Sequence, residues 1–142
     1  MKTKEYTVTT KEISQAEIWK LITDVNNWKY WDTEVIDSHI EGDFKAENSF
    51  MLHPKGAGKV NVLIEEAIPC SYYRDVTTFP LAQLYDEHSY EETEEGLKIT
   101  IRLTMKGPLN WLWYTLVMKD MVKQLPNDIA KQINVIKSNR TK

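Results

Sequence analysis

The chain has 142 residues, 18 Lys and Arg against 21 Asp and Glu, a formal charge of −3 and a single cysteine. That length suits one domain, 1–142, able to bury roughly two-thirds of its surface in a core without staples. The acidic balance argues against a nucleic-acid partner, which requires a basic face, and Cys70 alone excludes an internal disulfide.

In chain order, residues 5–10 alternate, with Tyr6 and Val8 on one side and Thr7 and Thr9 on the other, as a half-buried strand does. Ser14-Gln15-Ala16-Glu17 has capping-box spacing and opens a helix whose apolar face is Ile18, Trp19, Leu21, Ile22 and Val25. The helix is expected to end near Asn26-Asn27, and a second short helical turn to carry Trp28, Tyr30 and Trp31. Strands follow. Residues 35–41 place Ile36 and Ile40 on one face, 49–53 end at Pro54, and Lys55-Gly56-Ala57-Gly58 makes a turn. Residues 59–68 put Val60, Val62 and Ile64 on one face, and 71–78 carry Tyr72, Tyr73 and Val76 between Pro69 and Pro80.

Residues 83–91 put Leu84, Asp86, His88 and Tyr90 on one face. Alternation alone leaves the opposite choice open, with Tyr85, Glu87 and Ser89 inward and His88 on the surface. After Glu94-Glu95-Gly96, the residues Leu97, Ile99, Ile101, Leu103 and Met105 alternate with polar neighbours, the cleanest two-residue period in the chain. The acidic run Glu91, Glu92, Glu94, Glu95 reads as the solvated end of that hairpin. Short turns make the sheet antiparallel.

Gly107-Pro108 then starts one long amphipathic helix over 109–137, roughly 43 Å at 1.5 Å per residue. Leu109, Leu112, Leu116, Met121, Leu125, Ile129, Ile133 and Ile136 form its inward stripe. Pro126 removes one hydrogen bond and is expected to kink it. The first half is apolar nearly all round, so a second face must cover something else. The N-terminal residues lack the apolar stretch of a signal peptide, and the greasiest run, 109–118, is far short of the roughly 20 residues of a membrane span. No integral membrane segment is expected, and the chain reads as cytoplasmic. Asn139-Arg140-Thr141 fits a glycosylation acceptor, but nothing indicates secretion. The fold class is α+β: a curved antiparallel sheet of about seven strands, two short helices after the first, and a long C-terminal helix across the sheet.

The series Ser14-x-x-Glu17-x-Trp19, Ile22-Thr23-Asp24-Val25, Trp28 and Trp31-Asp32 resembles the opening of the SRPBCC superfamily, the helix-grip fold shared with START lipid-transfer domains and the birch-pollen allergen. Leu52-His53-Pro54-Lys55-Gly56, Glu65-Glu66-Ala67-Ile68-Pro69, Gly107-Pro108-Leu109 and Leu125-Pro126 resemble its bacterial polyketide cyclase/dehydrase branch. The resemblance spans nearly the whole chain and implies an elongated apolar cavity between the sheet and the last helix. It implies no shared reaction. Members of the branch often carry a His-Arg pair early in the last strand, where this chain reads Ile99-Thr100-Ile101-Arg102. An acid–base role implied by the resemblance therefore rests on His88.

Candidate ligand-binding residues are Tyr73, Leu84, His88, Tyr90, Ile101 and Leu103 from the strands, with Trp111, Met118 and Met121 as a roof. Histidine titrates near neutral pH, about 6.5, which suits general acid–base work, and tyrosine hydroxyls could reach a ligand carbonyl. Against this stands ordinary packing: a hydrogen-bonded structural histidine and core tyrosines with wet tips. Asp86 could orient His88 only if side chains two apart on a strand converge. His39, His53 and His88 lie on separate strands without ligand spacing, so neither metal nor cofactor is expected. Gly56-Ala57-Gly58-Lys59 lacks phosphate-loop spacing.

Three functions fit. The first is binding of a small hydrophobic ligand (a lipid, isoprenoid, polyketide or aromatic compound) between sheet and helix. The second is polyketide cyclase/dehydrase-type catalysis, with His88 and Tyr90 moving protons. The third is partner binding, as a homodimer, or peripheral membrane contact through Trp111, Trp113 and Tyr114.

Overall fold

The computed structural model describes residues 1–141. Seven strands form one antiparallel sheet in the order β1-β7-β6-β5-β4-β3-β2. They are β1 (Lys2–Thr10), β2 (Val35–Ile40), β3 (Ser49–Pro54), β4 (Val60–Ile68), β5 (Tyr72–Phe79), β6 (Ala82–Thr93) and β7 (Gly96–Lys106). β2 to β7 follow one another as a meander, and β1 closes beside β7 with Tyr6 opposite Ile101. The two-residue period of β7 is realised: Leu97, Ile99, Ile101, Leu103 and Met105 are all buried, and Lys98 and Arg102 face water.

Two bulges break the alternation elsewhere. One between Val35 and Asp37 turns Ile36 outward, where it is 53% exposed, while Ser38 and Ile40 face in. The expected pairing of Ile36 with Ile40 on one face is thereby corrected. A second, between Ile64 and Glu66, lets Ala67 rejoin the core face after Ile64.

The helix α1 (Gln15–Thr23) starts as its sequence dictates. Ser14 Oγ accepts from the Glu17 amide at 3.2 Å, and Glu17 Oε1 accepts from the Ser14 amide at 3.0 Å. It ends at Thr23 rather than near Asn26-Asn27, because Asp24 leaves helical geometry (φ −87°, ψ 64°). A 3₁₀ turn, Val25–Tyr30, follows.

The C-terminal helix comes in three pieces: α2 (Asn110–Trp113), a π-helical turn (Tyr114–Met118) and α3 (Lys119–Asn139). Its N-cap is Leu109, so Pro108 precedes the first turn instead of occupying it. α3 continues through Pro126, and the winding changes at 114–118. The wider turn shifts the register. Leu116, expected on the inward stripe, is 58% exposed, while Met118 is fully buried. Beyond it the stripe holds: Leu125, Ile129, Ile133 and Ile136 are buried. The far end is clamped to α1, with Arg140 Nη2 at 2.6 Å from Glu17 Oε1 and Lys137 Nζ at 2.7 Å from Glu12 Oε1. Arg140 holds the Glu17 carboxyl down at about 2. Among the described residues, no helix is long and apolar enough to cross a membrane.

Gly107 sets the angle at which the helix leaves β7. Its φ is +109°, and a Cβ there would sit 2.6 Å from the Leu81 carbonyl oxygen and 2.8 Å from Ala82 Cα. Gly107→Ala should therefore cost about 2 kcal/mol in urea unfolding. A loss below about 0.5 kcal/mol would show that this junction is not the constraint described.

Candidate functional site

A curved sheet and a straight helix leave space between them, and in this chain aromatic side chains fill one end of it. Trp19 of α1 meets Phe44, Tyr73 and Tyr90 edge-to-face, with ring centres 6.2, 6.1 and 6.4 Å apart. Phe44, from the β2–β3 loop, packs at 5.1 Å on Tyr73 and 6.1 Å on Phe50, which meets Trp28 at 5.3 Å. Tyr73 stacks on the His88 ring at 4.4 Å. The elongated apolar cavity that the resemblance implies is closed at this end.

At the other end the space remains open as a cleft of about 400 Å³. Its floor is Ile101 and Leu103 of β7 with Asp86 and His88 of β6. Its roof is the inner side of α3, with Met121, Leu125, Asp128 and Gln132. Val35, Leu52 and Pro54 close one side, and Asp32, Glu34, Lys55, Asp120 and Gln124 form the rim. A larger, shallower groove of about 660 Å³ runs outside α3, beside Tyr30, Trp31, Asn127 and Asn134. It has no sheet floor, so the cleft offers the better enclosure for a ligand.

Of the candidates from sequence, His88, Ile101, Leu103 and Met121 come together at the cleft. Leu84, Tyr73, Tyr90 and Met118 are buried in the core and do not line it. Trp111 is 60% exposed, turned to solvent instead of roofing the space, because α2 lies before the π turn. Trp113 stacks on Phe79 at 4.7 Å and donates its indole N–H to the Pro80 carbonyl. Tyr114 lies under the Lys2 ammonium at 5.5 Å. The fully outward groups here are Leu81, Trp111 and Leu116.

His88 is 8% exposed and held on both ring nitrogens. Nδ1 lies 3.3 Å from the Tyr90 hydroxyl and Nε2 2.9 Å from Asp86 Oδ1. The arrangement that serves both has Tyr90 donating to Nδ1 and the ring proton on Nε2, beside Asp86. The Nε2–Oδ1 contact is close but poorly aligned for a hydrogen bond, so Asp86 Oδ1 stays buried without a hydrogen-bond partner. Burial, reinforced by the Asp86 charge, raises the Tyr90 hydroxyl well above the usual tyrosine range, so Tyr90 stays a neutral donor.

Carboxyls dominate the rest. Asp75 stands directly opposite Asp86 on the neighbouring strand and is 6% exposed. Burial first, then the charges of Asp86 and Glu65, raises its carboxyl far above the ordinary range. Asp128 is pushed up to about 6 by burial and by Asp32 and Glu34, against the opposing pull of Lys131 and His88. Lys131 Nζ pairs with Asp32 Oδ1 at 2.9 Å. Gln132 is 7% exposed, and its Oε1 has no partner. Sequence reading considered Asp86 only as an orienter for His88 and passed over Asp128 and Gln132. Their signal was available: polar residues four apart beside the buried Leu125-Ile129-Ile133 stripe. Among the described residues, no group of three or more His, Cys, Asp or Glu side chains is placed to hold a metal ion.

A carboxyl raised in the fold takes up protons more readily folded than unfolded. The stability it contributes is complete below its unfolded value, near 3.8, and is lost as pH rises through about 6. Asp128→Asn should thus be more stable than the parent at pH 7.5 by about 1 kcal/mol, allowing for the water that reaches this carboxyl. The difference should vanish near pH 3.5. Equal urea midpoints at both pH values would contradict the placement of Asp128.

No protein-family model and no curated protein matches this sequence. Solved structures do match its fold. Ara h 8.0201 aligns with a TM-score of 0.77 at 15% identity, over 96% of this chain and 98% of its own. A Staphylococcus aureus protein of unknown function aligns at 0.71 and 15%, over 99% and 98%. The di-domain ARO/CYC protein StfQ of the steffimycin biosynthetic pathway aligns at 0.71 and 11%, over 96% of this chain and 50% of its own. The seven-stranded antiparallel sheet, the short helices after β1 and the long C-terminal helix give this chain the helix-grip fold.

Proposed function

We propose that this protein binds a small, largely hydrophobic molecule in the cleft between the sheet and α3. The supporting observation is the cleft itself: about 400 Å³, with Ile101 and Leu103 below and Met121 and Leu125 above. Its size falls in the usual range for small-molecule sites, and its apolar floor and roof are edged by acidic and amide side chains. Lipid, isoprenoid, polyketide and aromatic compounds share the required apolar body. The aromatic packing around Trp19 closes the deep end, so the ligand is confined to the cleft toward β2, β3 and α3.

A second reading is proton-transfer catalysis of the polyketide cyclase type. The chain Tyr90–His88–Asp86 favours it, because its outer member lines the cleft and could exchange a proton with a bound molecule. Its weakness is that Tyr90 stays behind His88, out of the cleft. His88→Ala that leaves turnover of an aromatic polyketide substrate unchanged would end this reading. A homodimer through the aromatic first half of the C-terminal helix would rest on the outward Trp111 and Leu116. Sedimentation of Trp111→Glu tests it, since an unchanged mass would remove the idea.

The binding reading makes a direct prediction with the neutral fluorophore N-phenyl-1-naphthylamine. It should bind saturably at one site, and Met121→Trp, which fills the cleft, should weaken it by about tenfold or more while leaving the circular dichroism unchanged. Absence of saturable binding, or equal binding to the filled variant, would contradict the proposal.

A further inference from the structure

We propose that the ligand of the cleft carries a cationic head, an organic ammonium group, seated between Asp86 on the sheet and Asp128 on α3. This rests on the reading of the cleft as the binding site and adds the charge class of what enters it.

The first ground is the sign of the lining. Five carboxyl groups face the cleft (Asp32, Glu34, Asp86, Asp120 and Asp128) against the single ammonium of Lys55. Lys131 pairs directly with Asp32 and only partly offsets Asp128, whose carboxyl stays raised. His88, the other group able to take a positive charge, is held between Tyr90 and Asp86 within the protein. Rim carboxylates in water would mean little, but Asp86 and Asp128 lie deeper, one in each wall.

The second ground is independent of charge. Gln132, more than nine-tenths buried, lines the cleft with its amide oxygen unpartnered. Buried polar atoms are ordinarily paired, and an unpaired one calls for a reason. The Gln132 oxygen is an acceptor, so the missing partner is a donor. A carboxylate or phosphate ligand would bring more acceptors and more negative charge. A neutral hydroxyl could satisfy the amide oxygen but would leave the acidic lining uncompensated. An ammonium brings up to three N–H donors and the compensating charge together.

A metal ion would also be positive, but the acidic groups are not clustered closely enough to hold one. The apolar floor and roof suit the carbon body of an amine instead. Burial pressure on the Asp128 proton is consistent with this: it is the strain of an acidic site whose counter-charge arrives with the ligand.

The test compares decylamine, decanol and decanoate, equal in chain and different in head, by isothermal titration below their aggregation limits. Decylamine should bind about tenfold or more tightly than decanol, and decanoate more weakly than either. In the double variant Asp86→Asn, Asp128→Asn, the preference for decylamine should fall to within about twofold of decanol, with an unchanged circular dichroism spectrum as the control for folding. Decanol or decanoate binding as well as decylamine would overturn the cationic head while leaving the hydrophobic site standing. A preference for the amine that persists in the double variant would overturn the placement between Asp86 and Asp128. If none of the three binds, the cleft reading fails and this inference with it.

Discussion

A helix laid across a curved sheet touches it at its ends and stands off in the middle, and the protein must decide how that gap is filled. Here the decision is made by one side chain, Trp19, held on α1 by a capped N-terminus. It gathers Phe44, Tyr73 and Tyr90 from three separate segments into edge-to-face contact. Each such ring buries a large apolar area, so this end of the gap becomes ordinary core. The open remainder is placed by default toward β2, β3 and the middle of α3. Everything polar in the site follows from that asymmetry, because Asp86, His88, Asp128 and Gln132 stand at the border where packing stops.

That border is expensive. Carboxyls at partly dry positions weaken the fold at neutral pH, and asparagine or leucine would serve stability better. The chain nonetheless places Asp75 opposite Asp86 and Asp128 above them. The ends of the helix carry the compensating strength. Gly107 and the Leu81 carbonyl fix one end, and Arg140 and Lys137 clamp the other to Glu17 and Glu12. Fixed ends hold the helix in place above the open cleft, which is what a site between layers requires.

Much of this architecture could be read from residues alone. The β7 alternation, the Ser14–Glu17 box and the Leu125-to-Ile136 stripe are local signals, each decided by neighbours in sequence. What escaped the reading depends on partners far away or on geometry with no local mark. The bulges that turn Ile36 outward and Ala67 inward are register events between strands. The π turn at 114–118 hides in a segment apolar on every side, where no period shows which residue faces in, so Leu116 is expected inward and stands in solvent. The aromatic closure around Trp19 brings together residues 19, 44, 73 and 90, a coincidence no window of sequence contains. His88 was found because a polar residue on an apolar strand face is conspicuous, whereas Asp128 sits beside exposed helix residues and looked like one of them.

The most direct test of the account is the location of a bound apolar molecule. Methyl-resolved NMR during titration with a neutral amphiphile such as decanol reports it. The account predicts saturable shifts at Leu52, Leu103, Met121 and Leu125, with Leu81, Leu116 and Ile68 unmoved. Shifts confined to Leu81 and Leu116, or none at any concentration, would contradict a binding site between the sheet and the helix.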